Sequence, residues 1–403
     1  MAIRSHRSGM ERPRNRALVP TGNDASAYTC VRSLADHGVG AVVASEKSSP
    51  PAAASRYCDE FVDLPDPRED LLAYRDGLLD LAAREDVRTV IPIRCEDGYV
   101  LSKYRDAFAD HVSLVVPPMD VLASVHDRLA LADAAEAAGV PVPETRLLSE
   151  ADDWDAPRIV KSRFNVLTDA YVDGLGERDA DVVKALHHVE RGETVDADAV
   201  REAMGHDPIV QSFVERDGEY MVAALCEDGE VVASFQHHQL RGNSYTGGGG
   251  VYRRSMYDPD LEAVAADLLA ELDFHGLACI EYMREAGTGA YVLTEINPRM
   301  WQSLPSTVHA GADFPWYYWL AATGRTGDVE DDYEMGVGTH FLHGEVGHLA
   351  SVLTDDSPNV PRPSLAGTAW TILASVAAEP HFDYLKRDDP GPFLAGVRNV
   401  LPV

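Results

Sequence analysis

Leu293-Thr294-Glu295-Ile296-Asn297-Pro298-Arg299 is the stretch on which the reading of this chain turns. It closes a hairpin whose strands run from Gly276 to Met283 and from Ala290 to Asn297, with Ala286-Gly287-Thr288-Gly289 between them. A turn centred near Thr288 sets Glu281 and Glu295 opposite each other, or one rung apart, on the same face. Strand alternation adds Asn297 to that face. Like charges so placed repel, and the flanking Leu277, Ile280, Tyr282, Val292, Leu293 and Ile296 would worsen the repulsion by burying it. The geometry leaves two readings open. One is an acidic face in water; the other is a cation site of two carboxylates and an amide oxygen, a hard-oxygen set suited to Mg²⁺ carried on a nucleotide phosphate.

Working outward, Arg158-Ile159-Val160-Lys161 is an apolar strand ending in lysine. The chain has only five lysines, at 47, 103, 161, 184 and 386, and otherwise uses arginine. A lysine here suggests a compact point charge for phosphate, against the plainer reading of a surface lysine. Residues 241–250, with Arg241 and four consecutive glycines at 247–250, read as a flexible loop able to approach an anion or simply to turn. His237 and His238 share a strand and face opposite sides, one of them a candidate to meet substrate.

The N-terminal part alternates strands and helices: Ala17–Val19, a helix to Asp36, Val39–Ala44, Phe61–Leu64, a helix over Leu71–Arg84, Thr89–Ile93, and a closing strand Val112–Val116. That rhythm predicts a parallel sheet covered on both faces. Thr21-Gly22-Asn23-Asp24 lacks the GxGxxG dinucleotide fingerprint. Beyond it the sequence predicts one helix over Asp120–Ala138, a strand at Pro208–Val214, and an antiparallel pair Glu219–Cys226 and Val231–Leu240 about Asp228-Gly229. Residues 166–205 read as acidic, helical and poorly patterned. A helix over Asp258–Leu272 precedes the final hairpin.

Asp and Glu total 66 against 35 Lys and Arg, for a net charge of −31 spread along the chain. A nucleic-acid partner is disfavoured, since phosphate backbones need a basic face. Dispersed acid with scarce lysine points to a halophilic protein, in which salt screens self-repulsion; an acidic mesophilic protein is the alternative. No apolar run is long enough for a membrane span, and Met1–Arg16 lacks the apolar segment of a signal peptide, so a cytoplasmic location is expected. Cys30, Cys58, Cys95, Cys226 and Cys279 stand far apart and read as reduced, mostly buried thiols.

Three stretches together resemble the ATP-grasp superfamily: the hairpin ending Glu295-Ile296-Asn297-Pro298-Arg299, the strand ending Val160-Lys161, and Gln211-Ser212-Phe213-Val214. The helix from Asp127 to Gly139, followed by Val140-Pro141-Val142-Pro143, is similar to that family's entry to its nucleotide domain. Closest in kind are the ATP-grasp carboligases related to biotin carboxylase and the large subunit of carbamoyl phosphate synthetase. The resemblance implies an α/β fold: a disordered segment 1–14, a Rossmann-like pre-ATP-grasp domain 15–118, a two-part α+β ATP-grasp domain 119–325 with its lid at about 145–215, and a small C-terminal extension 326–403.

The resemblance also implies roles. Glu281, Glu295 and Asn297 hold Mg²⁺, or Mn²⁺ in its place, against ATP. Lys161 meets the α- and β-phosphates. Gln211 meets the adenine amino group, with the main chain of Ser212, Phe213 and Val214 along the ring edge, and Glu219 meets the ribose. Arg299 holds the carboxylate or its acyl phosphate, and Arg241 faces the transferring phosphoryl group. Arg128 stands where the family often has lysine, and the glycine-rich lid loop expected after Lys161 is replaced by Arg163-Phe164-Asn165. The implied activity is ATP-dependent joining of a small carboxylate to an amine or thiol through an acyl phosphate. A phosphotransferase acting on a hydroxyl, or a nucleotide-binding regulator without turnover, are the alternatives. The partners expected are small molecules and, for the 326–403 tail, a homodimer or a part in acceptor choice.

Overall fold

The computed structural model describes residues 15–356 and 360–400. The segment 1–14, expected to be disordered, lies outside them. Strands β1 (Arg16–Pro20), β2 (Gly40–Ser45), β3 (Glu60–Asp63) and β4 (Val87–Val90) form a wholly parallel sheet in the order β3-β2-β1-β4. Its strands alternate between two cores. Leu18, Val42 and Val90 pack on one side, and Ala17, Val19 and Val43 on the other. Both faces are thus apolar, which a parallel sheet flanked by helices requires. Val112–Val116, expected as a fifth strand, contributes only a parallel bridge between Thr89 and Ser113.

A second, antiparallel sheet follows, of β5 (Thr145–Leu147), β6 (Arg158–Lys161), β7 (Leu186–Val189) and β8 (Ile209–Ser212), ordered β5-β8-β6-β7. Residues 166–205 are mostly turns; their one α-helix is Ala197–Met204, docked through Val200 and Met204 on Val160 and Val210. The predicted helix over 120–138 is two helices, Met119–His126 and Arg128–Ala137. Asp127 breaks it: its backbone is extended, and its carboxylate accepts from Leu129 N (3.0 Å) and from Arg163 Nε (2.9 Å). A capping aspartate held by an arginine competes with helix continuation.

The third sheet comprises β9 (Arg216–Glu227), β10 (Glu230–Ser244), β11 (Gly247–Met256), β12 (Gly276–Glu285), β13 (Tyr291–Asn297) and β14 (Gly338–His340), in the order β13-β12-β9-β10-β11-β14. Asp228 and Gly229 both have positive φ, the requirement of a two-residue type I′ hairpin. The glycine stretch read as a loop is strand: β10 and β11 leave only Tyr245 and Thr246 between them, and Gly242 faces Gly250. A Cβ on Gly242 would stand 2.7 Å from the Gly247 carbonyl oxygen, so the glycines serve close strand approach.

The described part of segment 326–403 is woven into the molecule. β14 completes the third sheet, and the helix Gly391–Val400 packs on residues 51–54 of the first unit. The strongest tie is a fully buried, bidentate pair of Arg253 with Asp383, with contacts of 3.0–3.1 Å. No helix among the described residues is long and apolar enough to cross a membrane. The five cysteines are free, and Cys30, Cys226 and Cys279 are buried.

Removing one partner of a buried pair strands the other charge at a cost of about 3–5 kcal/mol. Asp383→Ala is therefore expected to lower unfolding stability by about that amount, read as a fall in the denaturant midpoint measured in concentrated KCl.

Candidate active site

The hairpin register places Glu281 directly opposite Glu295. Beyond that rung the ladder slips by one residue; Thr294 is left unpaired, and its hydroxyl donates to the Glu281 carbonyl (2.7 Å). Asn297 lies on the same face and donates to Glu295 Oε1 (2.7 Å), while its Oδ1 accepts from Arg299 (3.2 Å). The face that carries Met221, Ala223 and Cys279 inside the core opens here, so the carboxylates stand at the edge of a cleft.

Burial, then repulsion from Glu295 and Glu219, pushes the Glu281 carboxyl well above the usual carboxylate range. Glu295 goes the other way. Burial alone would raise it, but the Arg128 guanidinium 2.9 Å away and the Asn297 amide outweigh that and hold it ionised. Two facing carboxylates with split affinities for a proton form a site that favours a cation.

Lys161 ends β6 beside this pair. Its ammonium makes no hydrogen bond or ion pair among the described residues. Burial and the charge of Arg128 lower its pKa to about 8, partly offset by Glu295 and Glu281. An ammonium left without a partner at the wall of a cleft is a ready contact for an anionic ligand. The segment after it does not arch away as a glycine-rich loop. Arg163 O accepts from Arg128 N (2.8 Å), and Asn165 N donates to His126 O (3.0 Å), which ties the segment to the helix start.

Three cavities of about 430, 370 and 490 Å³ adjoin here. The first holds Lys161, Arg128, Glu281, Glu295 and Asn297. The second shares both glutamates and adds Glu219, His237, Gly248–Gly250 and Trp301. The third is walled by Asn23, Asp24, Lys47, Arg94 and Lys184 of the first two units. Arg299 lines all three.

The structure therefore brings Glu281, Glu295, Asn297, Lys161, Arg128, Glu219 and Arg299 to one cleft. Other expected residues are elsewhere. The Arg241 guanidinium pairs with both oxygens of the buried Glu345 (2.8 Å each), in the C-terminal segment, and lines none of the three cavities. Gln211, Ser212, Phe213 and Val214 line none of them either. Gln211 donates to Thr145 Oγ1 (2.8 Å), and Ser212 N donates to the Glu144 carbonyl (3.0 Å), because β8 is paired on both sides. Arg128 is held on Glu295 and on the Ser162 carbonyl (3.0 Å).

Sequence reasoning missed Lys47, Lys184, Asn165 and Trp301. Asn165 is buried with its Oδ1 unpartnered at the first cavity, and Trp301 is buried with its Nε1 unpartnered at the second. The lysine scarcity was the available signal, since Lys47, Lys161 and Lys184, three of the five, line this cleft. Among the described residues no cluster of three or more His, Cys, Asp and Glu could hold a metal unaided. Two carboxylates and an amide oxygen do fit Mg²⁺, which keeps few protein ligands and completes its shell with water and phosphate.

The architecture is that of the ATP-grasp fold. The chain is similar to the biotin carboxylase domain of 2-oxoglutarate carboxylase from Hydrogenobacter thermophilus, a structure described with MgADP, ADP and bicarbonate: TM-score 0.61, 14% identity, 80% of this chain and 73% of that one. It is similar to an L-amino acid ligase from Bacillus licheniformis, with TM-score 0.58 and 14% identity over 82% and 80% of the two chains. N5-carboxyaminoimidazole synthetase from Staphylococcus aureus, complexed with ADP, gives TM-score 0.57 and 15% identity over 80% of each. No family model and no curated protein matches the chain.

Because Arg241 neutralises a glutamate that also accepts from His340 (2.7 Å), Arg241→Met is expected to cost about 2–4 kcal/mol in unfolding stability. Nucleotide affinity of the folded protein, measured by calorimetry, is expected to change less than about threefold, since the residue lies off the cleft.

Proposed function

We propose that this protein is an ATP-dependent ligase that activates a small carboxylate as an acyl phosphate and passes it to an amine, or to a thiol. The observation that carries the reading is the unpartnered Lys161 ammonium facing the opposed Glu281 and Glu295, with Arg299 at the meeting point of three cavities. The solved structures of similar fold include a carboxylase domain and a synthetase described with ADP and an L-amino acid ligase, which supports the same reading.

A carboxylate does not acylate an amine, because oxide is a poor leaving group. In the reaction proposed, a carboxylate oxygen attacks the γ-phosphorus, the bond from that phosphorus to the β,γ-bridging oxygen breaks, and ADP leaves with the electron pair. The amine nitrogen then attacks the acyl carbon, the C–O bond to phosphate breaks, and inorganic phosphate departs while the nitrogen loses its proton. The protein contributes position and charge. Glu281, Glu295 and Asn297 would hold Mg²⁺, whose role when bound is to neutralise charge on the phosphates. Lys161 would lie along the phosphate chain and Glu219 at the ribose. Arg299 would grip the acid where the second and third cavities deliver acid and amine to the first.

Glu295→Gln keeps the shape and removes one charge of the pair. It is expected to cut turnover by about 10³-fold or more while circular dichroism stays unchanged. The wild type, given Mg-ATP and pools of acids and amines in concentrated KCl, is expected to release ADP and phosphate together only when both substrates are present, with product mass equal to acid plus amine less water. Transfer of phosphate to a hydroxyl without free phosphate would identify a phosphotransferase instead. Tight ATP binding with no turnover on any pool would identify a regulator.

A further inference from the structure

The helix Leu365–Ala378, LAGTAWTILASVAA, contains no charged residue, in a chain of net charge −31 in which a quarter of the residues are charged. Its inner face is Thr368, Ile372, Ser375 and Val376, buried or half-buried. The opposite face carries Ala366, Trp370, Leu373 and Ala377, all exposed; Trp370 is 71% and Leu373 64% exposed. The helix packs on Leu342–Thr354, whose Val346 and Leu353, seven positions apart and so on one face, are 70% and 66% exposed. Four large apolar side chains left bare on this helix pair offer on the order of 500 Å² of apolar area in all. That is the size of the apolar centre of a standard interface, which buries about 800 Å² per partner.

We propose that this face joins two copies of the chain in an antiparallel, two-fold symmetric helix pair. The outward stripe reads small, large, large, small at positions 366, 370, 373 and 377, the same in either direction. A two-fold axis midway between Trp370 and Leu373 sets each Trp370 beside the second copy's Leu373. It also brings Ala366 against Ala377 at the ends, where small side chains let the backbones approach. Self-complementarity of this kind is what an isologous contact needs. Charge is no obstacle at this surface, because in a chain of net charge −31 this helix brings no acid to the contact. A membrane surface is the poorer occupant, because helices that lie on lipid carry Lys or Arg on their polar side and this one has neither.

The test is the mass of the full chain by sedimentation and light scattering at micromolar concentration in concentrated KCl. The expected result is twice 43.9 kDa. Trp370→Glu and Leu373→Glu, each on an exposed position, are expected to raise the dimer dissociation constant about 30-fold or more, with unchanged circular dichroism and unchanged nucleotide binding. Leu394→Glu, a control at an exposed leucine of the last helix, is expected to leave the dimer intact. A monomeric wild type, or dimers that persist in both helix variants, would overturn the proposal; a monomer that binds lipid vesicles would show that the face serves a membrane.

Discussion

The constraint on which the cleft depends is a pair of carboxylates facing each other across adjacent strands. Glu281 and Glu295 repel across one rung of the ladder. The protein meets the repulsion unequally. Arg128 and Asn297 stabilise the charge on Glu295, while Glu281 is left to hold a proton or a cation. Two elements serve that asymmetry: the helix capped by Asp127 lets Arg128 reach across to Glu295, and β6 ends at Lys161, whose ammonium has no partner among the described residues.

The acidic character of the chain sharpens the contrast. Many of the described arginines are taken up by carboxylates, as with the half-buried Arg84 on Glu60 and Asp86, or the buried Arg158 on Glu144 and Asp153. Lysines are few, and three of the five gather at the cleft. A compact ammonium can approach a phosphate oxygen from any side, whereas a guanidinium is more readily claimed by a neighbouring carboxylate fork. The cleft thus carries charges of both signs, with Lys161, Lys184 and Arg299 set among Glu219, Glu281 and Glu295.

The C-terminal segment changes how the central sheet is built. Arg253–Asp383 and Arg241–Glu345 bind it to β11 and β10 through buried charges, and β14 covers the edge that β11 would otherwise present. Covering an edge removes unpaired main-chain groups. The same segment leaves an uncharged helix on the outside, so the elements that brace the sheet also supply an apolar surface.

Much of this was legible in the chain itself. Alternation at Leu18, Val42 and Val90 against Ala17, Val19 and Val43 declares a parallel sheet buried on both faces. The turn at Thr288 gives the register of Glu281 with Glu295 to within a rung, because strand period and hairpin length are local properties. The break at Asp127 and the strand through Gly247–Gly250 were less legible, since each depends on a residue from elsewhere: Arg163 on Asp127, and the close pairing of Gly242 with Gly250. Sequence by itself determined the facing acid pair to within a rung and the lysine that ends its strand, both short-range consequences of periodicity and turn chemistry. Only the tertiary structure decided that Arg241 belongs to Glu345, 104 residues away, that Gln211 turns to Thr145, and that Arg299 stands where three cavities meet. Those outcomes rest on which charge finds which partner across a folded surface, and no local pattern encodes that choice.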